Sequence, residues 1–567
     1  MIFRKIYHRF KTAILIISVF TISFFTFSFT DKYFEFSKEL DIFTSLFREI
    51  NIYYVDSIDS NKLIKKGIDE MLNSLDPYTN FIPESEKDDY RFITTGQYGG
   101  IGAVIKQMGN FVVVSDPYEG YPAQKSGLIA GDVILKIDGV DAQGKKTDDV
   151  SHLLKGTPGT EVKLLVQRDK GKPFEKVLTR EEIKVKSVPY YGLVRDGIGY
   201  IKLNNFTEQA GKEVGNALKD LETGGKLKAV VLDIRSNPGG LLNQAVNISN
   251  IFVDKGLEIV STRGKIRENN RTYKAINDPV DTKIPLAILV NSSSASASEI
   301  VSGSMQDLDR AIIVGQRTYG KGLVQNTHPL SYNTQLKLTT AKYYVPSGRC
   351  IQALDYTHRN EDGSVGKIPD SLVKPFQTKA GRIVYDGGGV LPDVLTSPRK
   401  LNNISASLVS KNLIFDFVTT YIRKNAERPK DGIIKLADKD FEDFRTFIAD
   451  KDYDFTTKSE TSLDELKKNA QDENYYADLK NDWELLKAKL SHNKLEDVVK
   501  NKEEILSLLE EEIAGRYFYQ SGKVRQALTN DQELNKAIEI ISDSMRYATI
   551  LKSPVKGEAV RMETIKK

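Results

Sequence analysis

Two apolar runs constrain the fold of this 567-residue chain more than any other feature: Ala229-Val230-Val231-Leu232 and Leu286-Ala287-Ile288-Leu289-Val290. An unbroken apolar run of this length reads as a buried strand. Each run empties into a turn of small residues and then into helical spacing. The first passes through Asp233-Ile234-Arg235-Ser236-Asn237-Pro238-Gly239-Gly240 into an amphipathic stretch from Leu241 through Phe252. The second passes through Ser292 to Ser298 into a helix that continues from Glu299 and ends near Gln306-Asp307. Strands alternate with helical segments from about 185 to 400, which makes this region a mixed α/β core.

The junctions carry the chemistry. A strand, glycine turn and helix in succession point backbone N–H groups outward, as an anion site needs. Alone, the Asn-Pro-Gly-Gly turn fits a phosphate loop or a simple tight turn equally. A serine at a strand-to-helix junction has its hydroxyl exposed and its neighbours' N–H groups free. Small residues around it let a substrate backbone come close. A third patch, Val314-Gly315-Gln316-Arg317-Thr318-Tyr319-Gly320-Lys321-Gly322-Leu323-Val324-Gln325, sets a lysine between two glycines. Glycines there cost conformational entropy, so the backbone itself requires them.

The rest of the chain divides by texture into further regions, in keeping with single cores rarely growing past about 250–300 residues. Residues 1–32 read as a signal-anchor: Arg4, Lys5, Arg9 and Lys11 precede an uncharged Ile- and Phe-rich stretch from Thr12 to Thr30. Such a stretch is just long enough to span a bilayer core of roughly 30 Å. Ser28-Phe29-Thr30 is a poor cleavage site, so an uncleaved anchor is expected, with the basic end in the cytoplasm and the rest exported. That places the catalytic part in the periplasm on the inner membrane, or makes the protein secreted if the segment is cut. Residues 33–92 form an N-terminal helical region, broken by the turn Leu75-Asp76-Pro77-Tyr78-Thr79. Short strands and glycine turns fill 93–175, the α/β core takes 176–400, and 401–567 is polar, charged and helical.

Composition excludes several classes. A net charge of +4 with both signs interspersed leaves no nucleic-acid footprint. One cysteine, Cys350, excludes an intrachain disulfide framework, and its setting in Pro346-Ser347-Gly348-Arg349-Cys350 reads as a turn entering a strand rather than a nucleophile. The histidines at 8, 152, 328, 358 and 492 form no His-x-x-x-His pair, which argues against a zinc-helix protease.

In the second region, Gly99-Gly100-Ile101-Gly102-Ala103-Val104 precedes the strand Val112-Val113-Val114. Tyr121-Pro122-Ala123-Gln124-Lys125-Ser126-Gly127-Leu128 and Gly131-Asp132-Val133-Ile134-Leu135-Lys136-Ile137-Asp138-Gly139 follow. A helix near Val150–Leu154 and a closing strand at Val162–Arg168 complete a pattern that resembles a PDZ domain. In such domains an extended peptide adds a strand to a sheet edge, and its terminal carboxylate sits on N–H groups of a glycine loop. The resemblance assigns that loop to Gly100, Ile101 and Gly102.

Taken together, PDZ pattern, Asp-x-Arg-x-Asn-Pro-Gly-Gly, Ser-Ala-Ser-Ala-Ser-Glu and Gly-Lys-Gly-x-Val-Gln resemble the C-terminal processing peptidases, or tail-specific proteases, from about Leu75 to Val394, where Gly387-Gly388-Gly389-Val390-Leu391-Pro392-Asp393 closes the match. The resemblance implies a crotonase-like peptidase core with Ser296 as nucleophile, Lys321 as general base and Gln325 orienting the lysine. It implies an oxyanion hole built from the N–H of Ala297 with that of Gly239 or Gly240. It also implies that Arg168, after the last PDZ strand, couples PDZ position to the active site, against which stands a plain surface salt bridge. Composition alone leaves Ser292, Ser293, Ser294 and Ser298 as rival nucleophiles, and His328 as a rival base.

The chemistry is coherent. A serine hydroxyl needs a base. A lysine, with a free pKa near 10.4, serves only if desolvation brings it down to roughly 7–8. Two N–H donors stabilise the tetrahedral oxyanion. The expected function is a serine endopeptidase acting on proteins with free C-termini through an acyl-enzyme; no metal, nucleotide or other cofactor is implied. The rival reading is an inactive PDZ scaffold or adaptor in the cell envelope. Residues 401–567, with Trp483 and many Glu/Lys pairs at helical spacing, have three roles open to them: docking an adaptor, building a homo-oligomer or shielding the site.

Overall fold

The computed structural model describes residues 34–552 apart from 170, 196, 426, 431 and 491–493. The expected anchor at 1–32 lies outside them; among the described residues no helix is long and apolar enough to cross a membrane. The chain divides into two compact units that part between Phe81 and Ile82. In the first, a helix over 34–53 is followed by Ser60–Asn73, whose N-cap Asp59 accepts from the N–H groups of Asn61 and Lys62. The expected turn follows, with the Asp76 carboxylate accepting from the N–H groups of Tyr78 and Thr79 at 2.8 and 2.9 Å.

In the second unit a 3-10 turn at Glu84–Glu86 leads into helix α1 (Lys87–Thr95), and the PDZ region follows. There an antiparallel sheet of Ala103–Met108, Phe111–Pro117, Val133–Ile137, Glu161–Gln167 and Phe174–Thr179 packs under helix α2 (Thr147–Leu154). Ile101, Val112, Val114, Ile134, Ile137, Val150, Leu154, Leu164 and Val166 form its core. The strand ending near Arg168, expected to close the sheet, does not, because Phe174–Thr179 folds back antiparallel on it. Gln97–Gly100, carrying Gly99 and the first loop residue Gly100, pairs instead with Glu181–Lys184 in a ribbon of its own. From α1, Asp89 reaches Lys155 at 2.5 Å just past α2.

The catalytic region is built on a six-stranded sheet. Its strands are β1 (Tyr190–Arg195), β2 (Ile198–Lys202), β3 (Ala229–Asp233), β4 (Leu286–Val290) and β5 (Ile312–Gly315). After β6 (Leu323–Pro329) and β7 (Gln335–Tyr344), which form a hairpin in a second sheet, β8 (Val394–Leu395) returns to the first. The order is β1-β2-β3-β4-β5-β8, parallel except for β1 against β2. Helices α3 (Leu242–Phe252) and α4 (Ala297–Asp307) follow β3 and β4. With Ala210–Thr223 they cover one face, burying Val230, Leu232, Ile288, Val290 and Ile313. The alternation of strand and helix stops at Asp307, however. From Ile312 to Leu395 the described chain runs in strands and loops, with one short 3-10 turn at Asp370–Leu372. Gln335–Tyr344 in particular pairs as an extended hairpin strand.

The other face explains why the apolar runs are unbroken. Ala229, Val231, Ala287, Leu289, Ile312 and Val314 pack against Leu534, Ala537, Ile538, Ile540 and Ile541 of helix α5 (Gln532–Ser542). A strand buried on both faces cannot alternate. Between the core and α5, the helices Asn403–Ser410, Leu413–Lys424, Asp438–Ile448 and Lys502–Ala527 build their own core around Leu408, Phe417, Phe444, Leu509 and Ile513. The hairpin Lys458–Asp472 and Tyr476–Leu490 closes on Trp483, whose indole N–H donates to the Leu463 carbonyl at 2.9 Å. The helical region also meets the PDZ: the Lys106 ammonium donates to Asn412 Oδ1 at 2.9 Å and lies 3.2 Å from the centre of the Phe415 ring.

Candidate active site

Ser296 is the N-cap of α4, at φ +55°, ψ −111°. A non-glycine residue in that region is held there by its surroundings, and strain of this kind is a mark of a functional turn. Its rivals fare differently. Ser294 and Ser298 are buried, with hydroxyls donating to the carbonyls of Ile234 and Asn237 at 2.8 and 2.9 Å. Ser292 and Ser293 are exposed on the loop.

What gathers the site is Glu299, three residues on and fully buried. Its Oε2 accepts from the Ser296 N–H at 2.8 Å and the Lys321 N–H at 2.9 Å. Its Oε1 accepts from the Gly320 N–H at 2.7 Å and the Thr318 hydroxyl at 2.5 Å. Burial nevertheless pushes the carboxyl up to about 7, against the pull of these four donors. In the sequence Glu299 reads as the start of a helix and the last residue of Ser-Ala-Ser-Ala-Ser-Glu, with no role in the site. The spacing Ser-x-x-Glu at a helix start was the available signal, since that is the capping-box pattern.

The two glycines around Lys321 are needed, as expected. A Cβ on Gly320 (φ +89°) would lie 2.4 Å from Ala353 Cβ, and one on Gly322 would lie 2.8 Å from the Gln352 nitrogen. Lys321 is half-buried between them. Gln325 sits on β6 just after a register shift against β7, and its Nε2 donates to Thr339 Oγ1 at 3.1 Å, leaving Oε1 as an acceptor. His328 is exposed further along the same strand. Burial pushes the Cys350 thiol up, the wrong direction for a thiolate nucleophile.

The turn after β3 lies against the serine. A Cβ on Gly239 (φ +104°) would be 2.9 Å from Ser296 Cβ and 3.0 Å from the Ala297 nitrogen. Ala297 opens α4, so its N–H has no acceptor within the helix. Buried Asn237 pins the turn: its Nδ2 donates to the Leu203 carbonyl at 2.9 Å, and its own carbonyl accepts from the Ala295 N–H at 3.0 Å. Asn237 Oδ1 accepts from the Gly239 N–H at 2.9 Å, which commits that donor inside the turn. Gly240 (φ +147°) packs on Phe206, and no acceptor for its N–H occurs among the described hydrogen bonds.

Ser296, Ala297, Gly239, Gly240 and the Lys321 backbone are thus brought together; Gly100, Ile101, Gly102 and Arg168 belong to the PDZ. Ile101 is buried in the PDZ core and its carbonyl accepts from the Ala123 N–H at 2.8 Å. A Cβ on Gly102 (φ +72°) would strike Tyr121 at 2.4 Å. The adjoining strand Ala103–Met108 pairs only with Phe111–Pro117 among the described residues, which leaves an edge beside α2. Arg168 grips Asp132, which is fully buried, at 2.7 and 2.8 Å and reaches the Gly127 carbonyl at 2.9 Å, all within the PDZ.

Comparison with known proteins identifies the domains that carry most of these residues. Residues 197–358 match peptidase family S41, 113–168 match the PDZ domain, and 404–541 match the probable PDZ-protease C-terminal helical domain. The chain is 41% identical over 325 residues to a carboxy-terminal-processing protease of Bartonella bacilliformis, covering 56% of this chain and 74% of that one. It is 36% identical over 317 residues to a probable CtpA-like serine protease of Staphylococcus aureus, covering 55% of this chain and 63% of that one. The solved PDZ domain of the carboxy-terminal protease from Vibrio cholerae, in complex with peptide, is 33% identical over 16% of this chain and 99% of that one, with a TM-score of 0.15, too low to bear on the site. By its kinship with the Bartonella protein, the chain belongs to the carboxy-terminal-processing proteases of peptidase family S41 and is a serine-type peptidase.

Proposed function

We propose that this peptidase captures the C-terminal ends of proteins on its PDZ edge and cleaves them with a Ser296–Lys321 dyad. The observation that carries the reading is the shared Glu299 oxygen, which holds the backbones of Ser296 and Lys321 to one point. In this mechanism Lys321 Nζ takes the Ser296 hydroxyl proton as Oγ bonds to the scissile carbonyl carbon. The carbonyl oxygen gathers charge, and the N–H groups of Ala297 and Gly240 stabilise it; Gly240 is preferred because the Gly239 N–H is committed to Asn237. Collapse breaks the C–N bond, and Lys321 returns the proton to the leaving amine. Water, deprotonated by the same lysine, then attacks the acyl-enzyme and restores Ser296. Gln325 Oε1 serves as acceptor for the lysine amine.

On the PDZ, the substrate tail adds to the edge of Ala103–Met108 with its carboxylate on the loop Gly100–Gly102. The core is read as crotonase-like. The basic-then-apolar start of the sequence favours a membrane-anchored protein with its catalytic part outside the cytoplasm.

The test is degradation of a loosely folded reporter ending in an apolar tail, by wild type beside Ser296→Ala and Lys321→Ala. Loss of cleavage in both variants, with circular dichroism unchanged, is the expected result. Unaltered cleavage by either variant rejects its assigned role, and cleavage that ignores removal of the tail carboxylate rejects capture by the PDZ.

A further inference from the structure

The turn that faces the nucleophile is gripped from the far end of the chain. Arg235 stands two residues past the end of β3, and its guanidinium serves three carboxylates. Nε contacts both oxygens of Asp233 at 3.1 Å, and Nη2 lies 2.6 Å from Asp233 Oδ2. The other bonds go to the start of α5. Nη2 donates to Asp531 Oδ2 at 2.5 Å, and Nη1 donates to Asp531 Oδ1 at 3.1 Å and Glu533 Oε2 at 2.6 Å. Asp531 is also the N-cap of α5, accepting from the Leu534 N–H at 2.9 Å. Glu533 Oε1 accepts in turn from Gln316 and, at 2.9 Å, from the Thr396 hydroxyl.

We propose that Asp531 and Glu533 are positioning residues for catalysis: by docking α5 on Arg235 they fix the turn from Arg235 to Gly240 that supplies an oxyanion donor. This deepens the mechanism above and rests on its assignment of Ser296 and the turn.

The geometry carries it in two steps. First, the turn is tied down on its other side by groups of the core alone. Lys202 Nζ donates to the Arg235 carbonyl at 2.9 Å, and Ser236 (φ +58°) donates its N–H to Asn291 Oδ1 at 2.8 Å. Only at Arg235 does a described hydrogen bond of this turn lead to α5. Secondly, the α5 carboxylates can be removed without stranding a buried charge. Arg235, the group that loses partners, would still be bonded to the buried Asp233 through Nε and Nη2. A cavity of about 770 Å³, lined among others by Lys202, Arg235, Ser236, Asn291, Asp531 and Glu533, runs along the junction. Arg235, Asp531 and Glu533 keep some exposed side-chain surface along it, so the grip is not sealed inside a core.

Coupling between two sites is reciprocal, so filling the oxyanion site must tighten α5. The experiment uses the full chain with a peptide boronic acid that bonds to the serine Oγ, its adduct located by mass spectrometry. Amide exchange in α5 is expected to slow about tenfold on adduct formation in wild type but not in the Asp531→Asn/Glu533→Gln variant. That variant is expected to lose about tenfold in kcat on a short chromogenic peptide at unchanged KM, with Glu533→Asp recovering part of the loss when Asp531 is intact. An adduct on Ser296 that leaves α5 exchange unchanged overturns the proposal, as does a double variant with wild-type kcat. Absence of an adduct on Ser296 rejects the nucleophile assignment and this inference with it.

Discussion

Ser296 and Lys321, separated in sequence by α4, β5 and a loop, donate their backbone N–H groups to the same oxygen of Glu299, at 2.8 and 2.9 Å. The register between the proposed nucleophile and the proposed base is therefore set by one buried carboxylate as well as by packing. Glu299→Gln keeps the shape but turns an NH₂ group towards donors, leaving a buried N–H without its acceptor. An unmet buried donor costs about 1–3 kcal/mol, so kcat is expected to fall roughly 5–150-fold with the secondary structure intact. Steady-state kinetics beside circular dichroism check this, and a wild-type kcat would release Glu299 from the role.

The same carboxyl gives a pH signature. Its pKa is pushed by burial from 4.5 to about 7, so the folded protein holds this proton more tightly than the unfolded chain. Its stabilising contribution is then full below pH 4.5 and is lost as pH rises through about 7. Thermal melts should show wild type losing ground to Glu299→Gln over that window. Activity should run the other way, since only the ionised carboxylate accepts all four bonds. Parallel melting curves for the two proteins would contradict the assignment.

Gly239→Ala tests the approach of the turn to the serine. Its φ of +104° disfavours any side chain, and the new Cβ would stand 2.7 Å from the Ala295 carbonyl oxygen and 2.9 Å from Ser296 Cβ. Displacing an oxyanion donor typically costs about 100–1,000-fold in rate, and kcat is expected to fall by that order with KM little changed. A loss confined to KM would place the turn in substrate binding instead.

Arg168 separates two roles. Asp132 has no exposed side-chain surface and is paired with Arg168, so Arg168→Ala strands a buried carboxylate. With the arginine partly exposed, the cost is expected at about 2–3 kcal/mol, below the 3–5 of a fully buried pair. Denaturant unfolding measures it. If Arg168→Ala/Asp132→Asn regains the stability and full tail-dependent activity, Arg168 is structural; regained stability without that activity makes it the coupling residue.

The sequence by itself determined the local pieces. Apolar runs at Ala229–Leu232 and Leu286–Val290 read as buried strands, and the small residues after them as the turns into the next helices, because backbone sterics and hydrophobic burial act over a few residues. Only the family resemblance singles out Ser296 and Lys321 among their neighbours, whereas the glycines flanking Lys321 mark by themselves a backbone need, which the fold shows as close approach to Gln352 and Ala353. Tertiary structure decided what lies far apart in the chain. That Glu299 joins Ser296 to Lys321 and that the second face of the sheet is covered by α5 both depend on the chain returning to itself from well beyond the local turn. Arg235 bonds Asp233 two residues away; its remaining partners, Asp531 and Glu533, lie nearly 300 residues on. A charged side chain states what chemistry it needs, and only the folded chain states which distant group supplies it.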